Sequence, residues 1–141
     1  MILKYQKHIT TYTTYALIEP DYNDDDERCT ELCTIGDNTY VHVPDSVVLP
    51  EQPFEIEVTM ETIILSDELI AEIKALSPHV RLINQRVVAK IRDKYSATDE
   101  LKIYREYVEY GRTETTEAYL THVAAARAWG QEQKSALGLG S

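Results

Sequence analysis

The run FEIEVTMETIIL at residues 54–65, followed at once by SDELIAEIKAL at 66–76, decides how the fold is read. In the first segment Phe54, Ile56, Val58 and Met60 alternate with Glu55, Glu57, Thr59 and Glu61. Apolar residues at every second position mark a strand with one buried face and one wet face. In the second segment the period lengthens to about 3.6 residues, and Leu69, Ile70, Ile73 and Leu76 share one side. Ser66 stands where an N-cap belongs, and Asp67 and Glu68 fill the first turn, where carboxylates favour a helix start. The chain is therefore expected to change from strand to helix between Leu65 and Ser66.

Before this switch the texture is β-like. Residues 5–19 (YQKHITTYTTYALIE) are mostly β-branched or aromatic and read as one long strand or two short ones. Pro20 ends that stretch, and DYNDDDE at 21–27 is a like-charged loop that resists regular pairing. Residues 31–35 and 39–43 flank Gly36-Asp37-Asn38, a link suited to a hairpin. Pro44, Pro50 and Pro53 make residues 45–52 an irregular connection.

After the switch the pattern is helical throughout. Ser77 is placed to cap a new helix and Pro78 to open it, since the N–H that proline lacks would be unpaired there. Val80, Ile83, Val87 and Ile91 continue an apolar stripe, with Arg81, Arg86, Lys90 and Arg92 around it. Ser96 or Thr98 caps the next helix, whose stripe is Leu101, Tyr104 and Val108, and Gly111 stops it. A last helix is expected from about Thr116 to Ala136, interrupted at Gly130 at a cost of about 1 kcal/mol relative to Ala. The tail, residues 137–141, shows no partner. The expected fold is α+β: a small, mostly antiparallel sheet in an acidic β-rich module (residues 1–65), then three or four helices in a helical module (66–141), the two packed as one unit. Helices this short are marginal in water, so their stripes need one another, the sheet or another chain.

The chain has 141 residues, 43% hydrophobic and 27% charged, values typical of globular domains. Spanning a membrane takes an apolar run of about 20 residues, and none comes near it. The first residues turn polar too soon for a signal peptide, so neither a membrane nor secretion is expected. The net charge of −10 sits entirely in the stretch 1–65, with 13 acidic against 3 basic side chains; the stretch 66–141 holds 11 of each. That balance argues against binding nucleic-acid phosphates, which calls for a basic face.

The search for chemistry yields no catalytic, cofactor or metal site. Cys29 and Cys33 lack a second Cys pair or a His-x3-His that would complete a zinc site, and they read as reduced thiols. Asp21, Asn23 and Asp25 have the spacing of calcium ligands, but Asp26 replaces the required Gly and Leu32 the bidentate Glu. There is no nucleophile elbow and no phosphate-binding loop. A Cys33–His42 pair across the hairpin is the weak candidate for thiol chemistry. Glu55, Glu57 and Glu61 have similar surroundings, which gives no reason for the divergent pKa values that acid/base pairs need. They fit a solvated sheet face or a docking surface.

The aromatics point to contacts instead. Ten tyrosines stand against one Phe and one Trp. Tyr suits places where one end is dry and the other wet, as at subunit contacts or on a half-exposed amphipathic surface. Tyr12 and Tyr15 on the first strand and Tyr104, Tyr107 and Tyr110 on one helix are candidate interface residues beside the three glutamates. Trp129 with Arg127 is either a contact hot spot or a plug on the local core.

The run 77–102 (SPHVRLINQRVVAKIRDKYSATDELK) resembles a segment of small proteins encoded among tail genes of tailed bacteriophages, as does the ending RAWGQEQKSALGL at 127–139. The most recognisable words are Lys94-Tyr-Ser, Asp99-Glu-Leu-Lys102, Trp129-Gly and Lys134-Ser-Ala-Leu-Gly-Leu139, all in the helical half. The resemblance implies a non-enzymatic virion component of tail, baseplate or fibre attachment, made in the host cytoplasm. Its expected partners are other tail proteins and copies of itself. The alternatives are a tail or fibre assembly chaperone, and an acidic inhibitor of a host DNA-binding protein.

Overall fold

The computed structural model describes residues 1–7, 29–49 and 51–140, in an α+β arrangement. Strands β1 (Ile2–Gln6), β2 (Thr30–Ile35), β3 (Asn38–His42) and β4 (Glu61–Ile63) form one antiparallel sheet in the order β2-β3-β1-β4. A single-turn helix, α1 (Phe54–Glu57), precedes β4, and α2 (Asp67–Leu76), α3 (Pro78–Arg92), α4 (Ala97–Tyr110) and α5 (Glu114–Ala136) follow it. Two compact units result: Met1–His79 with Leu137–Leu139, and Val80–Ala136 with Gly140. The division falls after His79, so α2 belongs with the sheet although its sequence texture matches the helices after it.

In the first unit β1 is central, pairing Leu3 with Val41 on one side and with Thr62 on the other. Strand alternation sends Leu3 and Tyr5 to one face, where they meet Cys29, Val41, Val43 and Ile56. Gly36 takes φ +60° at the first position of the tight turn between β2 and β3, a conformation open to glycine without a Cβ penalty.

The opposite face carries Ile2, Cys33, Tyr40 and His42, as the registers Ile2↔His42 and Cys33↔Tyr40 require. Here the sequence expectation for the tail is corrected. Leu139 is completely buried, and Gly138 lies so close to the sheet that a Cβ would stand 3.1 Å from Ile2 Cδ1 and 3.2 Å from His42 Cδ2. Two leucines around a left-handed glycine (φ +76°) give a short helix-ending plug that sequence periodicity does not register.

Residues 54–65 are a second correction. Only Glu61–Ile63 are strand, and Phe54–Glu57 form α1. Pro53 supplies a helical start with φ −53°, and its carbonyl accepts from the N–H groups of Ile56 (3.0 Å) and Glu57 (2.9 Å). The Thr59 hydroxyl donates to the Ile56 carbonyl (2.8 Å) and accepts from the Gln6 N–H (3.0 Å), ending the helix and fastening it to β1. Of the four alternating apolar residues only Ile56 is fully buried; Phe54 and Val58 point to solvent.

In the second unit Val80, Ile83, Ile103, Val123, Ala126 and Gly130 are buried. Gly130 does not break α5. It is the point of closest approach to α3, since a Cβ there would lie 2.6 Å from Val87 Cγ2. The caps behave largely as expected. Ser66 accepts from the Leu69 N–H (3.2 Å), Ser96 forms a reciprocal capping box with Asp99, and Gly111 ends α4 at φ +76°. Ser77 is the exception: its buried hydroxyl has no hydrogen-bond partner among the described residues, so it does not cap α3.

Leu139→Ala should destabilise the first unit by about 2–5 kcal/mol, read as a lower urea midpoint. Gly130→Ala should cost roughly 1 kcal/mol, because overpacking against a stiff Val outweighs the gain in helix propensity. A double-mutant cycle with Val87→Ala should recover much of that loss.

Candidate functional site

The second unit presents an open cavity of about 870 Å³ between α4 and α5. Its apolar wall is Leu101, Tyr104 and Tyr107 from α4 and Leu120 from α5, with Arg92 and Arg112 also lining it. The α4 stripe faces outward: Leu101, Tyr104 and Val108 are 59%, 66% and 67% exposed. Ile103, about a third of a turn away, is the one α4 side chain that is fully buried. Ala97, Leu101, Tyr104 and Val108 follow a 4-3-4 spacing, that of a seam made for another helix. This spacing was the signal available in the sequence; it gives no side.

The groove is held in shape from beneath. Glu100 receives the Arg92 guanidinium and the Tyr119 hydroxyl. Tyr95 meets the Tyr119 ring edge-on at 5.0 Å and the His122 ring at 5.5 Å, and His122 Nε2 is 2.8 Å from the Lys90 carbonyl oxygen. Arg112 pairs with the exposed Glu117 at 2.9 Å. The N-terminal end of the α4 wall depends on the Ser96 box, in which the Asp99 carboxylate accepts from the Ser96 N–H (2.9 Å) and the Ser96 hydroxyl from the Asp99 N–H (3.1 Å).

Within the second unit the candidate interface residues do not form one surface. Tyr104 and Tyr107 line the groove, whereas Tyr110 is exposed beyond it, since three-residue spacing turns each ring about 60° further round the helix. Trp129 is half-buried with the Lys90 ammonium 4.5 Å from its ring centroid, and Arg127 is exposed; neither lines the groove. Glu55 and Glu57 lie on α1 and not on a strand, while Glu61 on β4 pairs with Lys4 at 3.2 Å, so the expected row of carboxylates on one strand does not exist. Tyr12, Tyr15 and the acidic loop 21–27 lie outside the described residues.

Cys33 and His42 are not brought together across the ladder: Cys33 faces Tyr40 and His42 faces Thr30. No disulfide joins Cys29 and Cys33, and both are buried. Burial first, then the carboxylates of Glu31 and Glu72, pushes the Cys33 thiol above its ordinary pKa, which makes it a poor nucleophile. Among the described residues no group of three or more His, Cys, Asp or Glu is placed to hold a metal ion, and no helix is long and apolar enough to cross a membrane. The arrangement at the groove is suited to binding an apolar surface through aromatic side chains with polar tips. No protein family, curated protein or solved structure matches this chain.

Hydrogen bonds from the Ser96 backbone and then from its side chain, with Lys102 adding a smaller attraction, hold the Asp99 carboxyl below the usual carboxylate range. A carboxyl whose pKa is depressed on folding stabilises the fold above its unfolded value, near about 3.9, and that contribution is lost as pH falls through the lower folded value. The Asp99 carboxyl carbon should therefore titrate by NMR below the ordinary midpoint, and Ser96→Ala should move it up while costing about 1 kcal/mol of stability. Asp99→Asn should remove this part of the acid sensitivity below about pH 4.

Proposed function

We propose that this chain is a non-enzymatic structural adaptor of a tailed-phage particle, part of its tail, baseplate or fibre attachment. The observation that carries the reading is the α4–α5 groove: a two-sided apolar trough with Tyr104, Tyr107, Leu101 and Leu120 left open to solvent. Soluble proteins seldom leave aromatic and aliphatic side chains contiguous and uncovered unless another protein covers them. The likeness of residues 77–102 and 127–139 to small phage tail-region proteins supports the virion setting, and the first of these runs ends in α4 itself.

In this reading the adaptor works by burial. Tyr side chains place large apolar area in the contact at low conformational cost while their hydroxyls stay hydrogen-bonded at the rim. Arg92 and Arg112 lie where a partner's carboxylates or backbone carbonyls would arrive.

Mass spectrometry of washed particles from a phage encoding this chain should find it among the virion proteins. Leu101→Asp with Tyr104→Asp, both at exposed positions, should leave the unfolding midpoint unchanged and lower recovery in particles about tenfold or more. Absence of the wild-type chain from particles, with capture of a tail protein in the infected lysate, would replace this reading by that of an assembly chaperone. Full incorporation of the variant would remove the groove from the mechanism.

A further inference from the structure

Two other surfaces of the chain are complementary to each other. The unit formed by Met1–His79 and Leu137–Leu139 contains sixteen acidic and four basic residues, whereas Val80–Ala136 contains eight acidic and ten basic. Within the second unit the excess is concentrated on α3, which has Arg81, Arg86, Lys90 and Arg92 and no acidic residue. Lys90 lies over Trp129 and Arg92 pairs with Glu100. Arg81 and Arg86 are exposed and have no ion pair among the described residues. They flank Leu82, which is 43% exposed on the side of α3 away from the buried Val80 and Ile83.

The first unit carries the opposite pattern. On α1, Phe54 and the following Val58 are one turn apart on the side away from the buried Ile56, 73% and 61% exposed. Glu55 and Glu57 lie on either side of that pair. An apolar centre with carboxylate flanks thus matches an apolar centre with guanidinium flanks, which is the anatomy of a specific contact.

We infer that α1 of one copy docks on α3 of a second copy, Phe54 and Val58 against Leu82, with Glu55 and Glu57 facing Arg81 and Arg86. The two patches differ, so each copy offers a neighbour one acidic and one basic surface. The inference rests on the reading of the chain as an assembly component and names one partner for it, through surfaces other than the α4–α5 groove.

Sedimentation velocity on the full chain should show concentration-dependent association that weakens as ionic strength rises from about 0.05 M to about 0.5 M. Charge reversal on one patch, by Arg81→Glu with Arg86→Glu or by Glu55→Lys with Glu57→Lys, should weaken self-association about tenfold or more. Mixed together, the two variants should associate again, because the unaltered patches pair at one junction and the reversed patches oppose each other at the next. A variant carrying all four reversals should associate with itself again but not with wild type. Thermal unfolding of each variant establishes that it is folded. A wild-type chain that stays monomeric at low salt, or single-patch variants that fail to complement each other, would overturn the inference. Virion content separates it from the reading above: a monomeric chain found in particles defeats this contact alone, and a self-associating chain missing from particles defeats only the virion role.

Discussion

The carboxylate of Glu100 receives a guanidinium from the end of α3 and a phenolic hydroxyl from α5, and this joint carries α4. Only Ile103 anchors α4 by full burial, so the helix has little apolar contact of its own to spare. Removing Arg92 or Tyr119 would take away one of the two side chains that tie the Glu100 carboxylate to the neighbouring helices. The outward stripe of α4 follows from the same constraint. With its orientation fixed by Glu100 and Ile103, Leu101, Tyr104 and Val108 have nowhere to turn but the solvent side. The groove is therefore a product of how α4 is held and not an isolated patch.

Much of this architecture was legible in the sequence. The helix boundaries after Ser66 follow from local chemistry: Ser66 and the Ser96–Asp99 box start helices, Pro78 restarts one, and Gly111 stops one. The β2–β3 hairpin follows from Gly36 between two β-rich runs. What failed was anything decided by tertiary contact. Alternation over residues 54–60 suits a strand, yet Pro53 and the Thr59 hydroxyl turn half of it into α1. A helical stripe gives periodicity without a side, so the sequence alone leaves Leu101, Tyr104 and Val108 free to face the other helices, the sheet or another chain. Gly130 looked like a defect because the Val87 methyl it makes room for belongs to a helix far back in the sequence.

The candidate site was half legible for the same reason. Composition and spacing single out Tyr104 and Tyr107, and both line the groove, but Leu120, Arg92 and Arg112 join them only once α4 and α5 lie side by side. Alternation over residues 54–61 puts the three glutamates in one row on one strand. They lie instead on two elements, and Glu61 is already engaged by Lys4.

The plug at Leu139 bears on how the chain is made. The first unit leaves off at His79 and resumes only at Leu137, so a ribosome must add the whole of Val80–Ala136 between its two parts. At roughly 5–20 residues per second that interval lasts about 3–11 s. Throughout it the sheet face that carries Ile2 and His42 lacks the Gly138 segment that later packs on it. Synthesis thus completes the sheet unit only after the whole of Val80–Ala136 has been made.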